Sequence, residues 1–254
     1  MLKFLLRITR FRPHLAERSF WPLLLFTMLG CGFLLVRAYV SGRVGYVFLV
    51  KNLFLAWIPY VLSLAVLDLH QSQPRRRVML ASLCLAWLVM FPNAPYIFTD
   101  LIHWRNRHEM TWWFDLGMVL TFALAGCFCG IASLRIMHEL VRKRVGQAGG
   151  WLFVSVVSAL TGFGIYLGRF ERWNSWDVLT RPRFVTLQLL HGLADPFSHA
   201  RTLGVTLMFG AIVLACYAVL TSMANSPSPV SAADTTTAAC DTSPPRRPAP
   251  SSRS

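Results

Sequence analysis

Charged residues are scarce in this chain, and acidic residues are the scarcest of them. Only 14% of its 254 residues are charged, whereas an ordinary soluble domain has about 25%. The hydrophobic residues make up 55% and lie in long runs, which excludes an ordinary soluble domain. The 25 Lys and Arg outnumber the 11 Asp and Glu, yet apolar runs of this length indicate a lipid bilayer as the partner, and no nucleic acid is expected.

Two organising patterns are also missing, a disulfide framework and an internal repeat. Five of the six cysteines fall within apolar runs, and Cys240 falls in a polar tail. Cys127 and Cys129 have one residue between them, not the two that zinc and thioredoxin pairs use, so we expect plain apolar packing. The two halves share no motif or spacing, and an inverted-repeat transporter therefore finds no support.

Six apolar segments have the roughly 20 residues that a helix needs to cross about 30 Å of hydrocarbon. They are residues 20–39, 46–69, 78–98, 112–137, 151–167 and 203–223. The sequence therefore predicts an all-α integral membrane protein, a bundle of about six transmembrane helices.

The predicted membrane domain covers residues 20–223. A basic segment, residues 1–19, precedes it, and residues 224–254 form a tail rich in Ser, Pro, Thr and Ala that we expect to be disordered. With the N-terminus in the cytoplasm, that side receives 15 Lys and Arg and the other side 10. The positive-inside rule then predicts cytoplasmic N- and C-termini.

Two prolines interrupt the third predicted span. Pro92 and Pro95 each lack an amide donor and clash with the preceding turn, so we expect the helix to break there. A short helix can restart with Asn93 as its cap. Because a broken helix at membrane depth survives only against protein or a water-filled cavity, the break indicates a pocket. The alternative is a proline kink at the exit of an ordinary span.

Polar side chains follow this break. On a restarted helix Tyr96, Asp100 and His103 stand at i, i+4 and i+7 and share one face. Asp115, in the first turn of span four, would complete a set of two carboxylates and one imidazole. Such a set suits catalytic acid/base work or a divalent metal, so Asp100, His103 and Asp115 are candidate catalytic residues and metal ligands. Alternatively, Asp100 and His103 are solvated at the interface, and Asp115 only complements the helix dipole.

The end of span five adds two arginines. Arg169 and Arg172, three residues apart, can present two guanidinium groups to a phosphate or carboxylate. The candidate substrate-binding residues are Tyr96, Arg169, Arg172, Asn174, Trp176 and Asp177. The alternative is that the arginines pair with Asp100, Asp115 or Asp177 and lock loop to helix. The long extracytoplasmic loop between spans five and six, residues 169–202, is a candidate lid.

Three strings carry a resemblance to a known family. They are residues 52–60 (NLFLAWIPY), 91–103 (FPNAPYIFTDLIH) and 164–177 (GIYLGRFERWNSWD). They are similar to the bacterial multi-pass membrane proteins of the domain of unknown function 1361 family, over roughly residues 20–223. The resemblance implies an integral membrane protein of the bacterial inner membrane and implies no activity.

The three polar elements all fall on the predicted extracytoplasmic side, where they would form a pocket. The first hypothesis is a protein that binds or transports an anionic or lipid-linked small molecule. The second is a membrane-embedded enzyme, a metal-dependent or acid/base hydrolase or transferase acting on lipid or phosphorylated head groups at the outer leaflet. The third is a structural or assembly factor in which these residues only pair with each other.

Overall fold

The computed structural model describes residues 13–106, 112–169 and 200–225, and within those ranges it contains helices and no strand. The elements are α1 (Pro13–Ser41), α2 (Phe48–Ser72), α3 (Arg77–Met90), α4 (Asn93–Tyr96), a 3-10 helix (Ile97–Asn106), α5 (Trp112–Arg169) and α6 (Ala200–Asn225). The predicted all-α class is confirmed. The basic segment before Pro13, the loop at residues 170–199 and the tail after Asn225 lie outside the described residues.

Five helical stretches are long and apolar enough to cross a membrane. They are Ser19–Ser41, Phe48–Ser72, Arg77–Leu101, Trp112–Arg169 and Thr202–Ala224. Large apolar side chains such as Leu25, Phe54 and Leu152 are exposed on these helices. A soluble monomer rarely exposes so much apolar surface, whereas lipid tails are as apolar as Leu. The helices therefore indicate a membrane protein.

The fourth and fifth predicted spans lie on one element, α5, which has 58 residues. A straight helix of that length would extend about 87 Å, far beyond the roughly 30 Å of a hydrocarbon core. At Gly146 the backbone leaves the helical region, with φ 79° and ψ −179°. This conformation is essentially restricted to glycine. Gly146 therefore divides α5 into a first arm, residues 112–145, and a second arm, residues 147–169.

The two arms pack against each other. The ring of His138 on the first arm lies 5.4 Å from the ring of Trp151 on the second. Further along, Leu134 and Val154 belong to one buried apolar cluster. Since residues 13 and 20 apart along the chain meet in this way, the chain reverses direction at Gly146.

The last helix, α6, runs antiparallel to the second arm. Gly162 packs against the carbonyl oxygen of Thr206, and Trp151 contacts the ring of Tyr217 at 6.0 Å. The compact unit that contains these contacts ends at Tyr217, and residues 218–225 continue α6 in a second unit.

The described bundle has two chemically different ends. One end, which we call the polar end, comprises residues 42–47, the 3-10 helix and the first turn of α5. The other, the basic end, comprises residues 73–77 and 142–147, where six Lys and Arg lie. Of the candidate site residues from the sequence, Asp100, His103 and Asp115 belong to the polar end.

The structure gives details of the region that contains the two prolines, which we call the proline segment (residues 91–106). The α-helical pattern ends at Met90, resumes at Asn93 for four residues and then tightens to a 3-10 helix. Asn93 is the first residue of α4 and does not cap it. Its side-chain amide instead donates to the carbonyl oxygen of Met90 at 2.9 Å.

Replacement of Gly146 tests the reversal. Gly146→Ala is expected to destabilise the protein by about 1–3 kcal/mol, because alanine strongly disfavours this backbone conformation. Nothing lies within 4 Å of the position that its Cβ would take, so the cost is conformational and not steric. Thermal unfolding of the purified protein in detergent measures it.

Gly117→Ala is the matched control, because Gly117 lies in the same element with equally open space but helical backbone. It should be neutral or slightly stabilising, since Ala is the better helix former. Equal stability changes for the two variants would contradict a special role for Gly146.

Candidate functional site

A buried ion pair joins α1 to α5 at the polar end. Arg37, in the penultimate turn of α1, donates from Nε to Oδ1 of Asp115 at 2.7 Å and from Nη2 to Oδ2 at 3.4 Å. The two side chains are only 1% and 2% exposed. This is the fork geometry in which guanidinium and carboxylate groups match each other best. The carboxylate of Asp115 therefore already has Arg37 as its ionic partner.

Tyr46 lines the same site from the α1–α2 connection. The guanidinium carbon of Arg37 lies 4.4 Å from the centre of the Tyr46 ring, and both residues are fully buried. A cation over an aromatic face is attracted by the ring quadrupole, most strongly when both are desolvated. The connection between α1 and α2 is thus held against the ion pair.

A second polar contact anchors the proline segment to α2. The amide nitrogen Nδ2 of Asn52 donates to Oδ2 of Asp100 at 2.6 Å, and Asp100 is only 2% exposed. A buried carboxylate needs donors to replace water. Asn52, one turn into α2, supplies one of them.

The backbone of the proline segment differs from the predicted helix. From Ile97 the three residues per turn of a 3-10 helix replace the 3.6 of an α-helix. Asp100 therefore stands one turn after the buried Ile97 and one turn before His103, while Tyr96 is out of line with them. The predicted shared face of Tyr96, Asp100 and His103 assumed α-helical periodicity and is wrong in that respect.

A close approach to α5 fixes this segment on its buried side. A Cβ on Gly126 would lie 2.5 Å from Cγ2 of Ile97 and 2.8 Å from the carbonyl oxygen of Ala94. Only a glycine therefore fits there without displacing the backbone of the segment. Gly126 is the reason that α4 and the 3-10 helix can lie directly on α5.

Other side chains of the segment line an apolar cavity of about 230 Å³. Its walls come from the proline segment, the first arm of α5 and α6. The lining residues are Phe91, Pro95, Phe98, Leu101, Cys127, Gly130, Ile131, Leu134, Phe209, Ile212, Val213 and Cys216. Cys127 and Cys216 both lie at this wall. The segment therefore contributes Asp100 to a polar contact and apolar side chains to the wall of a cavity.

The remaining candidates lie at or beyond the edge of the described side chains. Arg169 is the last residue of α5 and is half-buried. The side chain of His103 and all of Arg172, Asn174, Trp176 and Asp177 lie outside the described residues. The expected convergence of these groups with Asp100 and Asp115 stays a prediction.

The same holds for the divalent metal. Among the side chains that the structure describes, no three His, Cys, Asp or Glu lie close enough together to hold an ion. The predicted ligand set needs the imidazole of His103, which is not among them. It would also require Asp115 to serve a metal while it holds Arg37.

Sequence reasoning missed Arg37, Tyr46 and Asn52 as site residues. The 10 Lys and Arg assigned to the non-cytoplasmic side include Arg37, although it is the one charged residue in the apolar stretch Ser19–Ser41. An ionisable residue inside a span is expensive unless it has a partner. That rule, applied to Arg37, was the available signal. Asp115 pairs with Arg37, and the alternative in which Arg169 or Arg172 also pairs with Asp115 stays a prediction.

Breaking the ion pair is expected to be costly. Asp115→Asn should lower the free energy of unfolding by about 3–5 kcal/mol, because it leaves the Arg37 guanidinium buried without its counter-charge. Replacement of both residues, Arg37→Met with Asp115→Leu, should cost less than either single change. Thermal unfolding in detergent and accumulation in the membrane measure the effect.

Arg43→Met is the control, since Arg43 is an exposed cation near the same end, and it should change stability by less than about 0.5 kcal/mol. If the double variant lost as much stability as the two single variants combined, Arg37 and Asp115 would not be energetically coupled.

Comparison with known proteins identifies one family. The family described as "Protein of unknown function (DUF1361)" matches residues 51–216. The match includes Asn52, Asp100, Asp115 and every residue that lines the cavity, and it begins after Arg37. Searches of curated proteins and of solved structures find no match to this chain. Because the family match covers more than half of the sequence, this chain belongs to the DUF1361 family of proteins of unknown function.

Proposed function

We propose that this protein crosses the bacterial inner membrane six times and binds an anionic, lipid-linked small molecule at its polar end. The apolar cavity beside the proline segment carries this proposal. The lipid chain would occupy the cavity, and the anionic group would lie toward the arginines at the end of α5.

The size and chemistry of the cavity fit a hydrocarbon chain. Its volume of about 230 Å³ exceeds that of an engineered apolar cavity of about 150 Å³ that stays dry and takes up benzene. The lining is aliphatic and aromatic apart from the Cys127 and Cys216 thiols, which behave as small apolar groups. Water gains few partners in such a space, whereas a hydrocarbon chain gains dispersion contacts.

The cavity also has a route from the bilayer. Ile212 lines it and is at the same time 43% exposed on the outside of α6. A lipid chain in the surrounding membrane can therefore enter beside Ile212 without crossing a polar barrier.

Arg169 is the described candidate for the anionic group. Gly164 on the second arm of α5 packs against Pro92, and both elements run toward the polar end. Arg169 follows five residues later, about 7.5 Å along the helix, and so comes level with the start of the 3-10 helix. Arg172, Asn174, Trp176 and Asp177 follow in the same family string and are the further candidates.

The six-span topology rests on Gly146. The break divides α5 into two arms of 34 and 23 residues, each long enough to cross a bilayer. The excess of Lys and Arg around the basic end then favours cytoplasmic N- and C-termini. The polar end would thereby face away from the cytoplasm.

Filling the cavity tests the proposal. Val213→Trp should displace a bound lipid chain, since Val213 is buried and lines the cavity. If two methylene groups of the lipid chain can no longer be buried in the cavity, at about 0.8 kcal/mol each, the lipid binds roughly tenfold more weakly. Photocrosslinking to polyprenyl phosphate or phosphatidylglycerol with a diazirine in the chain, read by peptide mass spectrometry, measures occupancy.

Leu207→Trp is the matched control, because Leu207 lies on the same helix and is 61% exposed. It should leave crosslinking to residues 127–134 and 209–216 unchanged. Unchanged crosslinking in a folded Val213→Trp protein would overturn the proposal. Arg169→Gln, which leaves the cavity intact, should weaken binding of polyprenyl phosphate more than binding of its uncharged alcohol.

A structural or assembly factor is the second candidate, and one observation favours it. Asp115 pairs with Arg37 and Asp100 accepts from Asn52, so the polar groups expected to bind a ligand already bind each other. The same pairing weighs against an enzyme that uses Asp100 and Asp115 as free carboxylates.

Asp100→Asn separates these functions. An amide of the same shape removes the negative charge but keeps an oxygen that can accept from Asn52. If Asp100 acts on a ligand, the variant should accumulate normally in the membrane. It should nevertheless fail to restore the phenotype of a strain from which the gene has been deleted. An equal loss of accumulation and rescue supports the structural role.

A further inference from the structure

Two turns of the chain meet at the basic end of the bundle. Arg144, two residues before the break at Gly146, lies with Nη2 3.2 Å from Nδ1 of His70 near the end of α2. Because His70 precedes the α2–α3 connection by only a few residues, the reversal at Gly146 brings residues 142–147 beside residues 70–77.

The juxtaposed turns concentrate positive charge. The cations that they carry are Arg75, Arg76, Arg77, Arg142, Lys143 and Arg144, and all six side chains are exposed. Two carboxylates lie nearby, Asp68 and Glu139. Glu139 accepts from Nη2 of Arg142 at 2.7 Å, and among the described residues the other five cations form no ion pair. A net positive surface therefore remains.

Apolar side chains border this surface. Val78, directly after the arginine triplet, is 86% exposed, and Val145, directly after Arg144, is 60% exposed. A surface that binds a soluble acidic partner gains nothing from exposed valines beside each cationic run. A phospholipid presents a phosphodiester above hydrocarbon, which is the chemistry that cations bordered by apolar groups match.

We propose that residues 70–78 and 142–147 form one binding site for the head group of an anionic phospholipid. Arg75, Arg76 and Arg144 hold the phosphodiester oxygens, and Val78 and Val145 contact the start of the acyl chains. The site is composite, because each turn alone contributes only three of the six cations. It lies at the opposite end of the bundle from the proposed function and does not depend on it.

Native mass spectrometry of the purified full chain, titrated with phosphatidylglycerol, cardiolipin or phosphatidylcholine, tests the site. The anionic lipids should bind in defined stoichiometry and phosphatidylcholine at least tenfold more weakly. Arg75→Gln with Arg76→Gln, and separately Arg142→Gln with Arg144→Gln, should each lower anionic lipid affinity about tenfold or more, since each nearby cation contributes about fivefold.

Arg43→Gln with Lys51→Gln is the charge-matched control, because both residues are exposed cations toward the polar end. It should leave the first anionic lipid bound as tightly as in the unmodified protein. An equal loss of affinity in the control, or equal binding of phosphatidylcholine, would mean that the lipids respond only to overall charge and would overturn the proposal.

Hydrogen exchange on the unmodified protein provides a second measurement that needs no variant to fold. Addition of phosphatidylglycerol should slow exchange in residues 70–78 and 142–147 together. Protection of only one of the two turns would refute a composite site. Competition by an acidic polypeptide as strong as that by the lipid would instead assign the surface to a protein partner.

Discussion

The buried pair between Arg37 and Asp115 is the interaction on which the polar end of this protein depends. Desolvating each charge costs several kcal/mol, and only a closely matched partner offsets that cost. The end of α1 and the start of α5 must therefore stay together in an apolar medium. Tyr46 stacks on the guanidinium, so the connection into α2 is held there too. Asn52 follows six residues later and is thereby placed to meet Asp100.

The proline segment takes part in both a polar contact and an apolar cavity. Its prolines remove donors from the helical hydrogen-bond pattern, so the neighbouring helices have to hold its shape. Asn52 does so through a hydrogen bond to Asp100, and Gly126 does so by leaving room for the backbone of the segment. Phe91, Pro95, Phe98 and Leu101 of the same segment form part of the wall of the apolar cavity.

The membrane helices could be predicted from sequence because crossing hydrocarbon demands a run of apolar residues, which is a local property. The predicted bounds agree to within three residues with the apolar stretches Ser19–Ser41, Phe48–Ser72 and Thr202–Ala224. The prediction that Tyr96, Asp100 and His103 share one helix face was wrong, because a change from 3.6 to 3 residues per turn alters the direction of successive side chains. Helix propensities do not reveal that change. The partners of Asp100 and Asp115 could not be predicted, since Asn52 and Arg37 lie 48 and 78 residues away along the chain.

By itself, the sequence determined the all-α class and the apolar helices, because hydropathy is a property of each local stretch of the chain. Membership of the DUF1361 family followed from strings of adjacent residues in the same way. Only the tertiary structure decided which charges neutralise each other, that α5 turns back at Gly146, and that a cavity lies beside Phe98. These features depend on close contacts between distant helices, and a buried charge or an empty volume exists only once those helices have packed.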